Sequence, residues 1–450
     1  MNGETFNILS LDGGGTWALI EAIALRELFG SDTPGHQILQ HFRLVVANSG
    51  GSIVAAGLWA NMTPRQLIEE FQSDSIRRHV FRKRPFYRQL TRVANFGPKY
   101  RARSKLKALK AVLELRAPGL ADSNMGDLKR RFGTASSDTD LVIVGFDYDT
   151  NRAKFFRTNA GSLAGTQKDK PQLTTTLAEA VHASTNAPVN YFDDPAEIKY
   201  AGQLLRMWDG AIAGYNNPIL AGITEALANR IPRDIIQVLS LGTGSRMLPR
   251  ADGREAEHPW LIASPYKRTL VPVIGDVRKL AMSIVENPPD VATYMAFHML
   301  GETLPTPEVS LQDKRRQETR IVRLNPMMQP TVNPVTKKFD TPGADTRFED
   351  ALSDEAFDQL LRLDMDAVRA SEVDIIFRFA DLWIKDQVYN QPILAGASSL
   401  ECELGHRWFS HGRDHARKIA LAPEAEVGKP SSPDDQISPE RGQAEKAETL

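Results

Sequence analysis

The feature that most constrains the fold is a short apolar run that ends in three consecutive glycines. Residues 6–11 (FNILSL) are followed by Asp12-Gly13-Gly14-Gly15, and residues 17–29 then carry apolar side chains at helical spacing. Residues 44–47 (LVVA) and 50–60 repeat the order of a strand and a helix. A strand, a tight turn and a helix in succession open an α/β unit, so the sequence predicts an α/β core.

The chain divides into three regions by pattern and composition. Strand-like runs at 141–146, 154–157 and 235–241 extend the α/β core over residues 1–260. Residues 261–420 turn to helical periodicity and are expected to complete the core or to regulate it. Within them, Ser353 is predicted to cap a helix whose apolar face is formed by Phe357, Leu360, Leu361 and Val368. Residues 421–450 are rich in Pro, Glu, Ser and Asp, which predicts a disordered acidic tail.

Composition excludes several classes of protein. A net charge of -1 over 450 residues does not indicate a dedicated nucleic-acid binder. The one cysteine, Cys402, rules out a disulfide framework or a thiolate metal cluster. No run of residues is long and apolar enough to span a bilayer, and the first residues do not resemble a secretory leader. We therefore expect a cytoplasmic protein with no metal and no cofactor.

Ala47-Asn48-Ser49-Gly50-Gly51 has the form of a nucleophile elbow between a strand and a small-residue helix. Such a turn projects the serine hydroxyl from the sheet and needs small residues two positions before and after the serine. Ala47 and Gly51 meet that requirement, although glycine is commoner at the first position. The start of the following helix also favours developing negative charge. A plain Ser-Gly-Gly loop that caps a helix explains the same residues.

The glycine loop has two interpretations. Consecutive glycines let the amides of Gly13, Gly14 and Gly15 turn toward a substrate, where they could bind an oxyanion. Gly13-x-Gly15-x-x-Ala18 after a strand also fits a dinucleotide-binding fingerprint. That fingerprint requires an acidic residue at the end of a second strand, whereas Asp32 lies in a predicted turn. Support for nucleotide binding therefore stops at the glycines.

A third segment, Trp208-Asp209-Gly210-Ala211, supplies a carboxylate that could act as the base for a serine nucleophile. A free aspartate is a weak base, so Asp209 would have to be partly desolvated. Asp-Gly-Ala is by itself a common turn. The segment gains meaning only from the other two motifs.

In this order the three motifs resemble those of the patatin-like phospholipases. The resemblance covers about residues 5–250 and includes further segments, namely Pro98-Lys99-Tyr100, residues 183–188 (ASTNAP) before Tyr191-Phe192, and residues 239–244 (LSLGTG). It implies a three-layer α/β/α fold with a mostly parallel central sheet, to which this chain adds a C-terminal helical region. Two departures stand out: the family usually has Arg-Gly where this chain has Trp17-Ala18, and glycine where it has Ala47.

The resemblance also implies an activity and its residues. The family hydrolyses lipid acyl esters without calcium, through a Ser–Asp dyad. Carried over by position, Ser49 is the nucleophile, Asp209 is its base, and the amides of Gly13, Gly14 and Gly15 form the oxyanion hole. The expected substrate is a membrane phospholipid or a related lipid. Two alternatives remain open: a non-catalytic lipid-binding module of the same fold, and a dinucleotide-binding oxidoreductase. A regulatory ligand or protein is also left open.

Histidines offer weaker alternatives. A Ser-His-Asp triad would need a histidine after Asp209, drawn from His258, His298, His406, His411 and His415, none of which has a distinctive context. His182 could line the site or simply pack in the core. Cys402 with the last three of those histidines has poor spacing for zinc.

Residues 76–110 contain 13 Lys or Arg and no Asp or Glu, interleaved with large apolar side chains. That pattern suits a solvated face or an anionic lipid surface better than nucleic acid. We therefore expect peripheral membrane association as a hypothesis for this segment.

Overall fold

The computed structural model describes residues 5–81, 99–132, 138–159, 161–164, 174–188, 191–200, 202–250, 253–263, 288–302, 319–333, 335–342, 352–390, 393–394 and 403–419. Three features of the sequence analysis lie outside these residues. They are the tail 421–450, the middle of the basic stretch at 82–98, and Cys402.

An eight-stranded sheet carries the fold. Its strands are β1 (Phe6–Leu11), β2 (Leu44–Asn48), β3 (Asp140–Asp147), β4 (Arg152–Arg157), β5 (Ala196–Tyr200), β6 (Gln203–Asp209), β7 (Ile236–Leu241) and β9 (Ile321–Leu324). Six short strands form three separate ladders: β8 (Ser245–Arg246) with β10 (Met327–Met328), β11 (Thr331–Val332) with β12 (Phe339–Asp340), and β13 (Ile393–Leu394) with β14 (Glu403–Leu404).

The sheet is parallel through its middle and antiparallel at one side. Its order is β5-β6-β3-β2-β1-β7-β9, and β4 forms a hairpin with β3. The ladders from β3 through β2, β1 and β7 to β9 are all parallel, whereas β4, β5 and β6 pair antiparallel. The predicted mostly parallel sheet is confirmed. In register, Leu11 of β1 lies beside Ala47 of β2 and Leu241 of β7, so the motifs that follow these three strands emerge side by side.

Thirteen helices are described: α1 (Leu19–Phe29), α2 (Gly35–Leu39), α3 (Ser49–Trp59), α4 (Pro64–Gln72), α5 (Asp74–Val80), α6 (Ala102–Arg116), α7 (Leu128–Phe132), α8 (Leu177–Ser184), α9 (Ile219–Ala228), α10 (Pro288–Met299), α11 (Asp354–Arg362), α12 (Ala370–Ile384) and α13 (Phe409–Ile419). The longest, α6 and α12, have 15 residues each. Among the described helices, none combines the length and the apolar character needed to cross a membrane.

Two apolar clusters cover the two faces of the sheet. Alternate residues of each central strand point to opposite faces, so Leu9 and Leu11 join one cluster while Ile8 joins the other. The larger cluster includes residues of α1, α3, α4, α6, α8, α11 and α12, and the smaller includes residues of α9 and α10. The predicted three-layer α/β/α arrangement is therefore confirmed.

The C-terminal region contributes both to the sheet and to the larger cluster. The predicted additional helices are present as α10 to α13, and Phe357, Phe379 and Trp383 are buried in the same cluster as the β1 side chains. Strand β9, which the sequence analysis did not predict, pairs with β7.

The prediction that one helix carries both Ser353 and Val368 was wrong in its extent. Ser353 caps α11 as expected, but the helix ends at Arg362. Residues 363–369 then turn toward the glycine loop, where the carbonyl of Met365 accepts the Thr16 amide at 3.0 Å. This tertiary hydrogen bond requires a backbone course that a continued helix could not follow.

We expect a chain that ends at residue 260 to lose its native fold. It would expose the hydrogen-bonding edge of β7 and remove large side chains from the main core. Near-ultraviolet circular dichroism and dye binding would report the loss. The control is a chain that ends at residue 420, which lacks only the segment that composition predicts to be disordered. A cooperative unfolding transition in the 260-residue chain would contradict the expectation.

Candidate active site

Ser49 begins α3 directly after β2, at the strand-to-helix turn that the sequence predicted. Its φ is 46°, in the left-handed region that a non-glycine residue rarely occupies. Its amide donates a hydrogen bond to Ser184 Oγ at 2.8 Å, and its carbonyl accepts one from the Ser52 hydroxyl at 2.6 Å. These contacts hold a strained backbone in place, as a nucleophile elbow requires.

The small residues around Ser49 are explained by the close approach of β1 and the glycine loop. A Cβ on Gly51 would lie 2.6 Å from the carbonyl oxygens of Leu11 and Asp12. A Cβ on Gly50 would lie 2.6 Å from the carbonyl oxygen of Gly15. Ala47 is fully buried within β2, where its methyl group is accommodated. The departure from glycine at residue 47 therefore does not prevent the turn.

Asp209, at the end of β6, lies against Ser49. The Ser49 hydroxyl interacts with the Asp209 carboxylate, and this interaction opposes the rise in the pKa of Asp209 that burial causes. One oxygen of that carboxylate, Oδ1, also accepts the Ala211 amide at 2.9 Å and Asn48 Nδ2 at 3.1 Å. The structure thus brings together two residues that lie 160 positions apart in the sequence.

The surroundings of Asp209 favour a stronger base than a free aspartate. The residue is 4% exposed, and this burial raises the pKa of Asp209 above its ordinary value. Hydrogen bonds from Ser49, the Ala211 amide and Asn48, and the charge of Lys105, oppose the rise in pKa. A carboxylate whose pKa is moved toward neutrality can accept a proton from a bound hydroxyl more readily.

The glycine loop passes directly over Ser49. A Cβ on Gly13 would lie 3.1 Å from Ser49 Cβ, and Gly15 has a left-handed φ of 59°. The Gly13 amide donates to the carbonyl of Asn216 at 2.7 Å, so in this conformation it is already used. No described residue accepts a hydrogen bond from the amides of Gly14 or Gly15. Within the described part of the chain, these two amides are therefore not committed to another hydrogen bond.

A buried cation that the sequence analysis missed supports the start of this loop. Arg323, on β9, forms an ion pair with Asp12 at 2.6 Å and donates to Ser240 Oγ at 2.9 Å; Arg323 and Asp12 are each 3% exposed at the side chain. The guanidinium passes close to Gly242, where a Cβ would lie 2.8 Å from Arg323 Nη2. Burial raises the pKa of Asp12 to about 6, although Arg323 acts in the opposite direction.

Arg323 also supplies a cation at the start of the glycine loop, in a chain that lacks the arginine usually found after this loop in the family. Trp17-Ala18 stands where the family usually has Arg-Gly, and the tertiary structure brings a cation to Asp12 from 311 positions away. Trp17 itself donates from Nε1 to the carbonyl of Asp364 at 3.2 Å. No local sequence signal could have identified Arg323, because only strand pairing places β9 near β1.

Four of the five histidines considered for a triad have other contacts, and the fifth, His411, is exposed on α13. His258 Nε2 pairs with Asp354 at 2.8 Å, His406 bonds His415 at 2.8 Å, and His298 packs against Tyr294. His182 is buried on α8, and burial lowers its pKa. Of the described residues that line the cavity at Ser49, none is a histidine. Within the described ranges, no group of three His, Cys, Asp or Glu side chains could hold a metal ion.

The dinucleotide interpretation finds no acidic residue where it needs one. Strand β2 ends at Asn48, and Asp32 lies between α1 and α2. Asp32 forms an ion pair with Arg65 at 2.7 Å, and its side chain is 71% exposed. It is therefore away from the end of the second strand, where a ribose-binding carboxylate would lie.

An apolar cavity opens beside Ser49. It has a volume of about 1170 Å³, counting the part open to solvent. Helices α3, α4, α5 and α6 contribute most of its walls, with side chains that include Ile53, Met62, Leu67, Phe71, Leu109 and Leu113. Ser49 and Gly15 also line it, so the hydroxyl and the glycine loop face an apolar space.

The sequence comparisons agree with this arrangement. The family model for patatin-like phospholipases matches residues 9–223, a span that includes the glycine loop, Ser49 and Asp209. Residues 9–223 therefore match the patatin-like phospholipase family, over just under half of the chain. The prediction of the family from three motifs is thus confirmed.

One similar protein and several solved structures were found. A cGAMP-activated phospholipase of Pseudomonas aeruginosa is 30% identical to this chain over 242 residues, which are 53% of this chain and 62% of the relative. VipD from Legionella pneumophila has a TM-score of 0.31 at 13% identity, covering 84% of this chain and 67% of VipD. In the structure of the ExoU–SpcU complex of P. aeruginosa, the matching chain has a TM-score of 0.24 at 18% identity. The match covers 41% of this chain and 36% of that chain. Likenesses this distant say nothing about the chemistry of the site.

We expect substitutions of Asp12 and of Arg323 to have strongly coupled effects on the free energy of unfolding. Arg323→Met leaves a buried carboxylate without its cation, which typically costs about 3–5 kcal/mol. Adding Asp12→Asn removes that charge, so the double variant should recover part of the loss. Urea unfolding of the wild type, both single variants and the double variant gives the coupling energy. Strictly additive effects would contradict the interpretation.

Proposed function

We propose that this chain is a serine lipid acyl hydrolase that cleaves acyl esters of membrane phospholipids or related lipids. The observation that carries the proposal is the contact of Ser49 with Asp209 at the mouth of an apolar cavity. The hydroxyl is held on a strained turn and interacts with a buried carboxylate. The family match over residues 9–223 supports the same class of reaction.

In the proposed mechanism, Ser49 Oγ attacks the acyl carbonyl while Asp209 accepts the hydroxyl proton. The negative charge that develops on the carbonyl oxygen is stabilised by the free amides of Gly14 and Gly15. The intermediate collapses, and the leaving alcohol takes the proton from Asp209 and departs as a lysolipid. Water then attacks the acyl-enzyme, again with Asp209 as the base, and the fatty acid is released.

The cavity supports an acyl chain as the group that is transferred. Its walls are overwhelmingly apolar, as is typical of sites that bind small apolar ligands. An acyl chain in this cavity would gain about 0.8 kcal/mol for each buried methylene group. The acyl carbonyl would then lie beside the hydroxyl at the cavity mouth.

We expect Ser49→Ala and Asp209→Asn each to abolish fatty-acid release, because one removes the nucleophile and the other removes the base. Loss of either group of such a dyad typically costs at least about 10³-fold in rate. The measurement is mass spectrometry of products from mixed bacterial phospholipids. Thermal melts would verify folding, and Ser371→Ala, an exposed serine on α12 away from the site, is a matched serine control.

The assay includes two further arms. Activity should persist in EDTA, since the proposed chemistry uses no calcium ion. Because one relative is named as cGAMP-activated, cGAMP is added in parallel, so that an enzyme that needs an activator is not mistaken for an inactive one. Full activity of Ser49→Ala or Asp209→Asn would exclude the dyad. Lipid binding without labelling by a fluorophosphonate, with or without cGAMP, would favour the non-catalytic module.

We also propose that the surface beside the cavity docks on anionic lipid. Helices α5 and α6 line the cavity. They carry parts of the basic stretch 76–110, one before and one after residues 82–98. Their outward residues include Arg78 and Arg103, whose side chains are 74% and 95% exposed, and Lys107. A membrane held here would be adjacent to the cavity that is proposed to receive the acyl chain.

Reversing four of these charges should weaken docking. The variant carries Arg78→Glu, Arg103→Glu, Lys107→Glu and Lys110→Glu, and each reversal acts on an attraction of about 1 kcal/mol per cation. Sedimentation with vesicles of phosphatidylglycerol and phosphatidylcholine measures binding, and hydrolysis of a water-soluble ester provides the control. Unchanged sedimentation with the anionic vesicles would discard this docking surface.

A further inference from the structure

A lysine is buried in the interior that also contains Asp209. Lys105, on α6, is 1% exposed and lines the same cavity as Ser49. A lysine is almost never fully buried unless its charge is paired. The described contacts of its ammonium are nonetheless with uncharged groups. It donates to the carbonyl of His182 and to Asn186 Oδ1, each at 3.1 Å, and lies 4.2 Å from the centre of the Phe192 ring.

Asn186 connects this lysine to Asp209. Its side-chain oxygen accepts the Lys105 ammonium, while its backbone carbonyl accepts the Asp209 amide at 3.0 Å. Its Nδ2 donates to the carbonyl of Asp194 at 2.9 Å, which fixes the orientation of the amide group. A single residue therefore fixes both the position of the lysine charge and the backbone of the aspartate.

The other charged groups around Lys105 have partners of their own. Facing it from α8 is His182, whose pKa is lowered by burial and by Lys105, so that it is uncharged near neutral pH. Across the cavity, Arg77 pairs with Asp74, Asp366 with Lys99 and Tyr100, and Glu70 with Arg116. Asp209 is the facing carboxylate whose charge none of those groups balances, and it is fully buried.

We propose that Lys105 is a positioning residue that keeps Asp209 ionised as the proton acceptor for Ser49, through its charge and through Asn186. This role rests on the proposed function, since it needs Asp209 to be the base. Two opposite charges in a water-poor interior stabilise each other more strongly than they would in water. The pKa directions agree with the geometry. Burial raises the pKa of Asp209 and lowers that of Lys105, and each charge opposes the shift of the other.

The test is the pH dependence of Ser49 reactivity in the full chain. Lys105→Met removes the charge at similar side-chain length, and Lys199→Met, an exposed lysine on β5 outside the cavity and the docking surface, is the matched control. The measurement is the second-order rate constant for fluorophosphonate labelling from about pH 5 to about pH 9, which covers the range in which a base titrates.

Without the cation, the Asp209 carboxylate takes up a proton more readily, so the base is lost at a higher pH. The acid-side midpoint of Lys105→Met should rise by about one pH unit, and labelling below both midpoints should fall about tenfold. Above both midpoints, the rate should return to within about twofold of the wild type. Lys199→Met should reproduce the wild-type profile.

Several results would overturn the role of Lys105. A purely structural residue would lower the rate by the same factor at every pH, leaving the midpoint unmoved. A raised KM for anionic phospholipids with an unmoved midpoint would make Lys105 a head-group ligand instead. If Lys105→Met does not fold by thermal melt, Lys105→Gln, which keeps a neutral donor, is measured in its place, and an unmoved midpoint there overturns the role equally.

Failure of the proposed function would be distinguishable from these results. It would be seen in the wild type itself as absent labelling in every condition, or as labelling that survives Ser49→Ala. Either finding precedes any measurement on Lys105. A wild type that labels at Ser49 with a single acid-side midpoint, and a Lys105 variant with the same midpoint, would reject only the role of the lysine.

Discussion

The site depends on the way Asp12 joins three neighbouring parts of the fold. Its amide donates to the carbonyl of Leu241 on β7, its carbonyl accepts the Gly51 amide of α3, and its carboxylate holds Arg323 of β9. The glycine loop starts at the next residue, so these bonds fix where that loop leaves the sheet. The close approach of the loop to Ser49 then follows from backbone geometry, which is why Gly50 and Gly51 cannot carry side chains without displacing it.

Charge is distributed in this interior as two separate pairs. Asp12 is neutralised by direct contact with Arg323, whereas Asp209 faces Lys105 with an asparagine between them. The first arrangement suits a structural carboxylate, because a tight ion pair holds its partners in one geometry. The second suits a group that must accept and release a proton, because the carboxylate keeps an oxygen for the Ser49 hydroxyl. Burial acts on both aspartates, but their neighbours give them different tasks.

The C-terminal region belongs to the same structural unit as the patatin-like segment. Strand β9 extends its sheet, α12 packs against α1, and the segment 363–369 contacts the glycine loop through Met365 and Asp364. The same segment lies against the cavity through Met365 and Asp366. Any change in the packing of this region would therefore reach the glycine loop through hydrogen bonds as well as through the core. The family match ends at residue 223, yet the loop at its beginning is held by residues after 320.

By itself, the sequence determined the local elements and indicated the residues that we propose to react. The apolar run before Asp12, the small residues around Ser49 and the order of the three motifs predicted the α/β core, the elbow and the family. Each of these signals is contained in a few consecutive residues, where spacing and side-chain size directly limit the backbone.

Tertiary structure alone decided which distant side chains would complete the site. The contribution of Arg323 depends on the pairing of β9 with β7, and that of Lys105 on how α6 packs against α8. Residues 363–369 follow a course in which the carbonyl of Met365 accepts the Thr16 amide. The Gly13 amide is occupied because the carbonyl of Asn216 lies within hydrogen-bonding distance of it. Burial and charge pairing arise only when segments hundreds of residues apart exclude water together, so no local pattern of residues encodes them.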